Sequence, residues 1–334
     1  TVISDKQVEA LLVLLTPQSM TEIEATAQAI VKTQQKTNKP ILACFMGQNM
    51  VEPGLKILKT NDIVTTTFPE AAAQALAAYG QFGRWSQQQP TTAFSLPTPN
   101  QEKARAIMDQ VKQAGRQHFL MAEALELLKL YGFTKLETAQ AKTADEAEKI
   151  VVNSNKNWAM KIISADISHK SDVGGVALNI NADNVRTKYE TMMQRVKENK
   201  PKAKLEGVLL MAMAPQDGIE VILGANKVPG LGTMLMFGLG GIYVEIFKDV
   251  SFAFAPVTPN DTQRMLNQLR SKSLFAGARG KKPVNEKLLV ELIGRLSQLV
   301  TDFPEIVELD INPLLALPGE QGVKMLDARI VIKD

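Results

Sequence analysis

The 334-residue chain is 45% hydrophobic and 22% charged, which suits a globular protein of two or three domains. A formal net charge of +3 is small for this length, so composition points neither to nucleic acid nor to an anionic membrane. The single cysteine, Cys44, excludes an internal disulfide and a cysteine-based zinc site; it suits a reducing compartment, so a cytoplasmic location is expected. No signal peptide is evident, and the longest apolar run, around Thr233 to Val244, is too short and glycine-rich to span a bilayer. The chain starts at Thr1 rather than Met and without an opening strand, as a piece of something longer would.

Residues 8–15, VEALLVLL, end at Thr16-Pro17-Gln18 and predict a parallel-sheet strand buried on both faces. Thr16 or Ser19 is placed to cap the following helix, TEIEATAQAIVKTQQK, whose first turn holds Glu22 and Glu24. The strand ILACFM, a helix from Glu52 to Lys59, the strand DIVTTT and a helix from Pro69 to Tyr79 continue the alternation. Residues 1–82 therefore read as a flavodoxin-like parallel α/β domain, N-terminally incomplete, with Cys44 a small buried hydrophobe. Residues 83–100, GRWSQQQPTTAFSLPTPN, lack periodicity and have the composition of a linker.

Two helices follow, Gln101 to Gln113 and Met121 to Leu130, with His118 between them as a packing or surface residue. A third runs from Thr143 to Asn153. In AMKIISADISHKSDVGGV, residues 159–176, Met160 and Ile162 alternate with Lys161 and Ile163, so Lys161 sits on one face of a half-buried strand. The polar loop that follows carries His169, flanked by Lys170 and Asp172, and ends in Gly174-Gly175 before a second strand. Glycines permit close backbone approach to an anion, and Lys161 supplies a point charge for phosphate. On these residues alone the loop is either a phosphate-handling lid with a nucleophile, or an idle histidine before an ordinary turn. It is expected to be mobile from Ser164 to Asp172, with only Ile167 to anchor it.

From Gly207 the pattern is antiparallel: GVLLMAMAP, then GIEVILGANK turning at Val228-Pro229-Gly230 into GTMLMFG, then IYVEIF running on to Phe254. The methionines of these strands fill a core or line an adenine slot. Glu286 to Val300 is an amphipathic helix. The last two strands, VELDINPLLAL and VKMLDARIVI, reverse at Pro318-Gly319-Glu320-Gln321. A hairpin symmetric about Gly319-Glu320 sets Asn312 opposite Asp327, on the face shared with Asp310. Such an oxygen pair suits Mg²⁺, or else an Asn–Asp hydrogen bond across two strands.

ISHKSDVGGV, residues 167–176, resembles the lid loop of the ADP-forming acyl-CoA synthetases, relatives of succinyl-CoA synthetase with an ATP-grasp nucleotide-binding half. The family often has Pro-Asp-Ile-Leu where this chain has Ala165-Asp166-Ile167-Ser168. FGLGGIYVE, residues 237–245, and Gly277-Ala278-Arg279-Gly280 resemble two further family segments. The resemblance implies a flavodoxin-like CoA-ligase domain followed by a two-lobed ATP-grasp domain over 101–334, with lobes of roughly 101–212 and 213–334. It makes His169 the phosphoryl carrier, with Asp310 near the phosphohistidine and Arg279 either steadying a phosphoryl group or merely at the surface. Lys161, Gly174, Gly175, Glu220, Gly238, Gly240, Gly241 and Glu245 are implied to bind ATP or ADP. Ser19, at the helix start of the first domain, is implied to face phosphate, although most helix starts bind nothing. Asn312 and Asp327 are the implied Mg²⁺ ligands.

The implied reaction converts acyl-CoA, ADP and phosphate into acid, CoA and ATP. Coenzyme A is expected in domains absent from these residues, on the same longer chain or on a partner subunit, and an oligomer is expected. The alternative is a non-catalytic, ligand-sensing module of a protein acetyltransferase.

Overall fold

The computed structural model describes residues 2–86, 94, 96–154, 156–167, 170–241, 248–277 and 282–333. The chain divides into two compact units, Thr1–Pro90 and Thr91–Asp334.

In the first unit the strands β1 (Leu11–Leu15), β2 (Ile41–Phe45) and β3 (Val64–Thr66) alternate with the helices α1 (Ile23–Gln34), α2 (Glu52–Thr60) and α3 (Pro69–Ser86). They form a parallel sheet in the order β1-β2-β3. The middle strand, ILACF, is buried at all five positions, and Cys44 is a packing residue there. β1 is not buried on both faces, since Leu14 is 54% exposed. An apolar run reports the strand, whereas its cover depends on which distant elements pack against it.

Neither Thr16 nor Ser19 caps α1, whose N-cap is Glu22, without a side-chain bond. Thr21 instead folds its hydroxyl back to accept from the Gln18 amide, so the polar residues are spent on a turn and the helix starts late. α3 runs beyond Tyr79 to Ser86, into the stretch of linker composition. Gly80 and Gly83 each weaken a helix by only about 1 kcal/mol, which its neighbours outweigh.

The second unit opens with α4 (Gln101–Gln113), α5 (Met121–Leu130), β4 (Thr138–Ala141), α6 (Ala144–Ser154), β5 (Trp158–Ile162), β6 (Val176–Ile180), α7 (Val185–Asn199) and β7 (Val208–Ala212). The strands β4-β7-β5-β6 form an antiparallel sheet. Its core joins Trp158, Met160, Ile162, Val208 and Leu210 to Val151 of α6 and Met192 and Val196 of α7. Trp158 is 1% exposed and its indole N–H donates to Ser154 Oγ.

A larger antiparallel sheet follows, made of β8 (Ile219–Val228), β9 (Gly232–Leu239), β10 (Val250–Phe254), β11 (Ile306–Ala316), β12 (Val323–Met325) and β13 (Arg329–Ile332). Its order is β10-β9-β8-β11-β12, with β13 also on β11. Between β10 and β11 lie α8 (Pro259–Gln268), α9 (Lys272–Phe275) and α10 (Glu286–Asp302). α10 buries Leu289, Leu292, Ile293, Leu296, Leu299 and Val300 against this sheet, as its periodicity predicts.

The helices α4 and α5 join the same large core through Met108, Val111, Leu125 and Leu128. Residues 101–212 are therefore shared between two cores: periodicity gives a helix its apolar face but does not say which sheet that face meets. No helix among the described residues is long and apolar enough to cross a membrane.

Candidate functional site

The site is built where β11 is interrupted. Against β8, Asp310 pairs with Gly224 and Ile311 with Leu223, after which the register shifts and Leu314 pairs with Val221 and Leu315 with Glu220. Asn312 and Pro313 thus form a bulge, a feature that re-aims a side chain. On the other side of β11, Asp310 pairs with Arg329 and Leu314 with Met325, and the Leu326 amide donates to Pro313 O at 3.0 Å. β12 and β13 keep one register across their gap, and that register sets Asn312 against Asp327, the pairing expected from a hairpin symmetric about Gly319-Glu320.

Lys161 meets this pair from the small sheet. Its neighbours Met160 and Ile162 are buried under α6 and α7, so alternation along β5 turns Lys161 the other way. Lys161 Nζ donates to Leu326 O at 2.7 Å and lies 3.3 Å from Asp327 Oδ2. Burial pushes its pKa down, Asp327 pulls it up, and nearby Lys170 pushes it down again. Lys170 Nζ stands 4.0 Å from Asp327 Oδ1, which also accepts from the Ala328 amide. Two cations therefore converge on one carboxylate.

The glycine turn arrives from β9. The Gly241 amide donates to Asn312 Oδ1 at 3.2 Å, and the Gly240 amide donates to Glu220 O at 2.8 Å. A Cβ on Gly240 would lie 2.6 Å from the Val221 carbonyl carbon; Gly241 has φ +61 and would press on Glu220 Oε2. Only glycine lets this turn lie flat on β8.

Asp310 completes the cluster. Burial raises its pKa to about 6, the charges of Asp327 and Glu308 adding to the effect and Arg329 opposing it. Its Oδ1 is buried with no hydrogen-bond partner among the described residues. A cleft of 660 Å³ opens beside it, lined by Asp310, Asn312, Asp327 and Arg329, by Leu120–Ala122 at the start of α5, and by residues 162–167 and 170–172.

Lys161, Glu220, Gly240, Gly241, Asp310, Asn312 and Asp327 are thus brought together. Gly238 lies one step back, paired with Ile222 and Val250. Gly174 and Gly175 belong to the turn into β6, where Gly175 N donates to Lys170 O and Gly175 O accepts from Ile162 N. Ser19 is exposed in the first unit. His169, Glu245 and Arg279 lie outside the described residues.

The flanks of the histidine loop have more anchors than Ile167 alone. Val173 is also buried, Asp166 Oδ2 accepts from the Lys204 amide at 2.7 Å, and Asn199 Nδ2 donates to Val173 O. These ties come from the α7–β7 connection, which the loop's own polarity does not report. Lys170, a basic neighbour of a histidine with no pattern of its own, has no sequence signal for the cleft it lines, and His118, read as a packing or surface residue, is exposed on the same lining.

Among the described residues no three His, Cys, Asp or Glu side chains form a metal-binding group. The donors present are the oxygens of Asn312 and Asp327, with the unpartnered Asp310 Oδ1 beside them. That is a hard-oxygen set, small enough for a cation that keeps water and phosphate in its shell, and it fits Mg²⁺ rather than zinc.

Two sheets that meet at such a cleft define an ATP-grasp domain, and the family model for the ATP-grasp domain matches residues 110–332. The chain is 37% identical over 332 residues to the ADP-forming 4-hydroxybutyrate–CoA ligase of Nitrosopumilus maritimus, covering 98% of this chain and 47% of that protein. It is 42% identical to the beta subunit of ADP-forming acetate–CoA ligase I of Pyrococcus furiosus, covering 69% of this chain and 98% of that subunit. A solved acetyl-coenzyme A synthetase 1 of Ca. Korarchaeum cryptofilum, in complex with coenzyme A and Mg-AMPPCP, has its phosphohistidine segment pointing towards the nucleotide binding site. It is 31% identical, with a TM-score of 0.58, and covers 69% of this chain and 100% of its own. The same enzyme with the segment phosphorylated and in its site I orientation gives a TM-score of 0.62 at 34% identity. The chain belongs to the ADP-forming acyl-CoA synthetases and contains their ATP-grasp domain. It spans about half the length of some of these relatives.

Proposed function

We propose that these residues are the nucleotide-binding, phosphoryl-transferring part of an ADP-forming acyl-CoA synthetase. The overall reaction would be acyl-CoA + ADP + phosphate = acid + CoA + ATP, with phosphate carried by His169. The observation that carries the reading is that Lys161 and the Gly240–Gly241 turn, from separate stretches of chain, bond to Asp327 and Asn312, which line one cleft.

Lys161 would hold a nucleotide phosphate, its ammonium already directed by Leu326 O. Gly240 and Gly241 would let phosphate approach the backbone of β9, with Glu220 beneath them and Gly238, Glu245, Gly174 and Gly175 completing the nucleotide surroundings. Asn312 and Asp327 would hold Mg²⁺, which when bound neutralises charge on the phosphoryl group in transfer. Asp310 would accept a hydrogen bond from the imidazole of the carrier histidine, fixing which ring nitrogen is free. Arg279 would steady the phosphoryl group, and Ser19, in the turn that precedes α1, would face phosphate. Coenzyme A would bind in domains beyond these residues, on the same longer chain or on a partner subunit, in an oligomer.

The experiment is phosphorylation from γ-labelled ATP with Mg²⁺. The expected result is an acid-labile, base-stable label that His169→Ala abolishes while ADP affinity changes less than about threefold, since other residues bind the nucleotide. Label that survives the substitution would reject the assignment.

A further inference from the structure

We infer that Lys170 is a positioning residue: it serves as the counter-ion of Asp327 while no metal is bound, and a divalent cation at Asp327 displaces it. The inference rests on the proposed metal site and concerns this chain's own cations. Asp327 is shared by two lysines that are not held alike. Lys161 is fixed in the middle of a ladder with strands on both sides, and its ammonium has a second partner, Leu326 O, at 2.7 Å. Lys170 Nζ makes no hydrogen bond among the described residues and stands 4.0 Å from Asp327 Oδ1. It is nonetheless largely enclosed, its side chain 18% exposed, so the attraction is less screened than at the open surface. The backbone around it is a turn rather than a ladder, closed by Gly175 N on Lys170 O at 2.7 Å and Gly174 N on Ser171 O at 3.1 Å.

A cation entering beside Asn312 competes for the Oδ1 side of Asp327, because Lys161 occupies Oδ2. Two cations at one carboxylate oxygen repel each other, and Oδ1 already accepts from the Ala328 amide, so a metal ion there loosens the less firmly held lysine, Lys170. The contact and the metal therefore oppose each other, and by linkage each weakens the other. Lys170 also adjoins the histidine stretch, so loss of its contact would alter the footing of the 170–175 turn when nucleotide and metal arrive.

The test is Mn²⁺ titration, read by the free-ion paramagnetic resonance signal, of the full chain with ADP, as the wild type, Lys170→Gln and Lys170→Arg. Lys170→Gln removes the competing charge and is expected to bind Mn²⁺ about fivefold or more tightly, the lower end of ordinary coupling between sites. Lys170→Arg keeps the charge and is expected to match the wild type. Amide exchange supplies a second readout: the Gly174 and Gly175 amides should exchange faster on Mn²⁺ addition in the wild type, and already fast without metal in Lys170→Gln. Equal or weaker Mn²⁺ affinity in Lys170→Gln, with normal binding by the wild type, overturns the inference alone. Failure of the wild type to bind Mn²⁺ with ADP overturns the metal site itself and the inference with it.

Discussion

Gly240 has no room for a side chain, because the atoms in its way are Val221 backbone at 2.6 to 2.9 Å, in the middle of a sheet. Gly240→Ala should therefore cost about 1–3 kcal/mol of stability through overpacking, with nucleotide affinity falling alongside, as thermal melts and ADP titration would show. A loss under a few tenths would mean that the turn does not lie on β8. Asp327 invites a different substitution. Asp327→Ala should remove the Mg²⁺ dependence of ADP binding, measured by calorimetry with and without metal, while the chain stays folded. Lys161 would lose a carboxylate but keep Leu326 O, so the stability cost should be about 1–2 kcal/mol rather than the larger cost of a fully orphaned buried charge. The pairing of Asn312 with Asp327 was readable in the sequence, since a hairpin's register follows from its turn. The convergence of Lys170 on Asp327, and the burial of Asp310 that lifts its pKa, were not, because both depend on the small sheet meeting the large one.

At the scale of elements, α4 is held to the start of β11 by charge. Arg105 and Lys112 both reach Glu305, and the Arg105 guanidinium also lies 4.5 Å from the centre of the Phe303 ring. Burial raises the Glu305 pKa, but its backbone amide, the Arg105 bond and the two cations outweigh it, so the net shift is downward. A carboxylate with a lowered folded pKa stabilises the fold above its unfolded value and loses that contribution as pH falls through the folded one. Glu305→Gln should thus cost about 1 kcal/mol at pH 7, discounted because Arg105 is half exposed. That cost should shrink towards zero below about pH 4, as urea melts across pH would show. A constant deficit would make the contact steric rather than ionic. The helices Gln101–Gln113 and Met121–Leu130 begin and end where their periodicity places them, with Asn100 capping the first. The start of α1 was misread because Thr21 satisfies a turn amide instead of capping the helix.

For the whole molecule, the boundary near residue 90 carries a prediction about autonomy. The Pyrococcus furiosus beta subunit, which matches 69% of this chain over nearly its full length, exists as a separate subunit. Residues 91–334 expressed alone should therefore fold cooperatively and bind ADP and Mg²⁺ within about threefold of the full chain, a difference under about 1 kcal/mol. An unfolded or nucleotide-blind fragment would refute that autonomy. The change from parallel βα alternation to antiparallel strands was legible, because that pattern needs no tertiary information. The sharing of residues 101–212 between two cores was not, because an apolar helix face does not name its partner.

The small sheet's buried indole has an optical consequence. The chain has only two tryptophans, and Trp158 is the only one in the second unit. With Trp85→Phe, all indole fluorescence would come from a ring sealed in the four-stranded core, its N–H on Ser154 Oγ. That emission should be blue and nearly untouched by acrylamide, and should redden only when the small sheet itself opens. A single wavelength would then show when the small-sheet jaw of the grasp loosens.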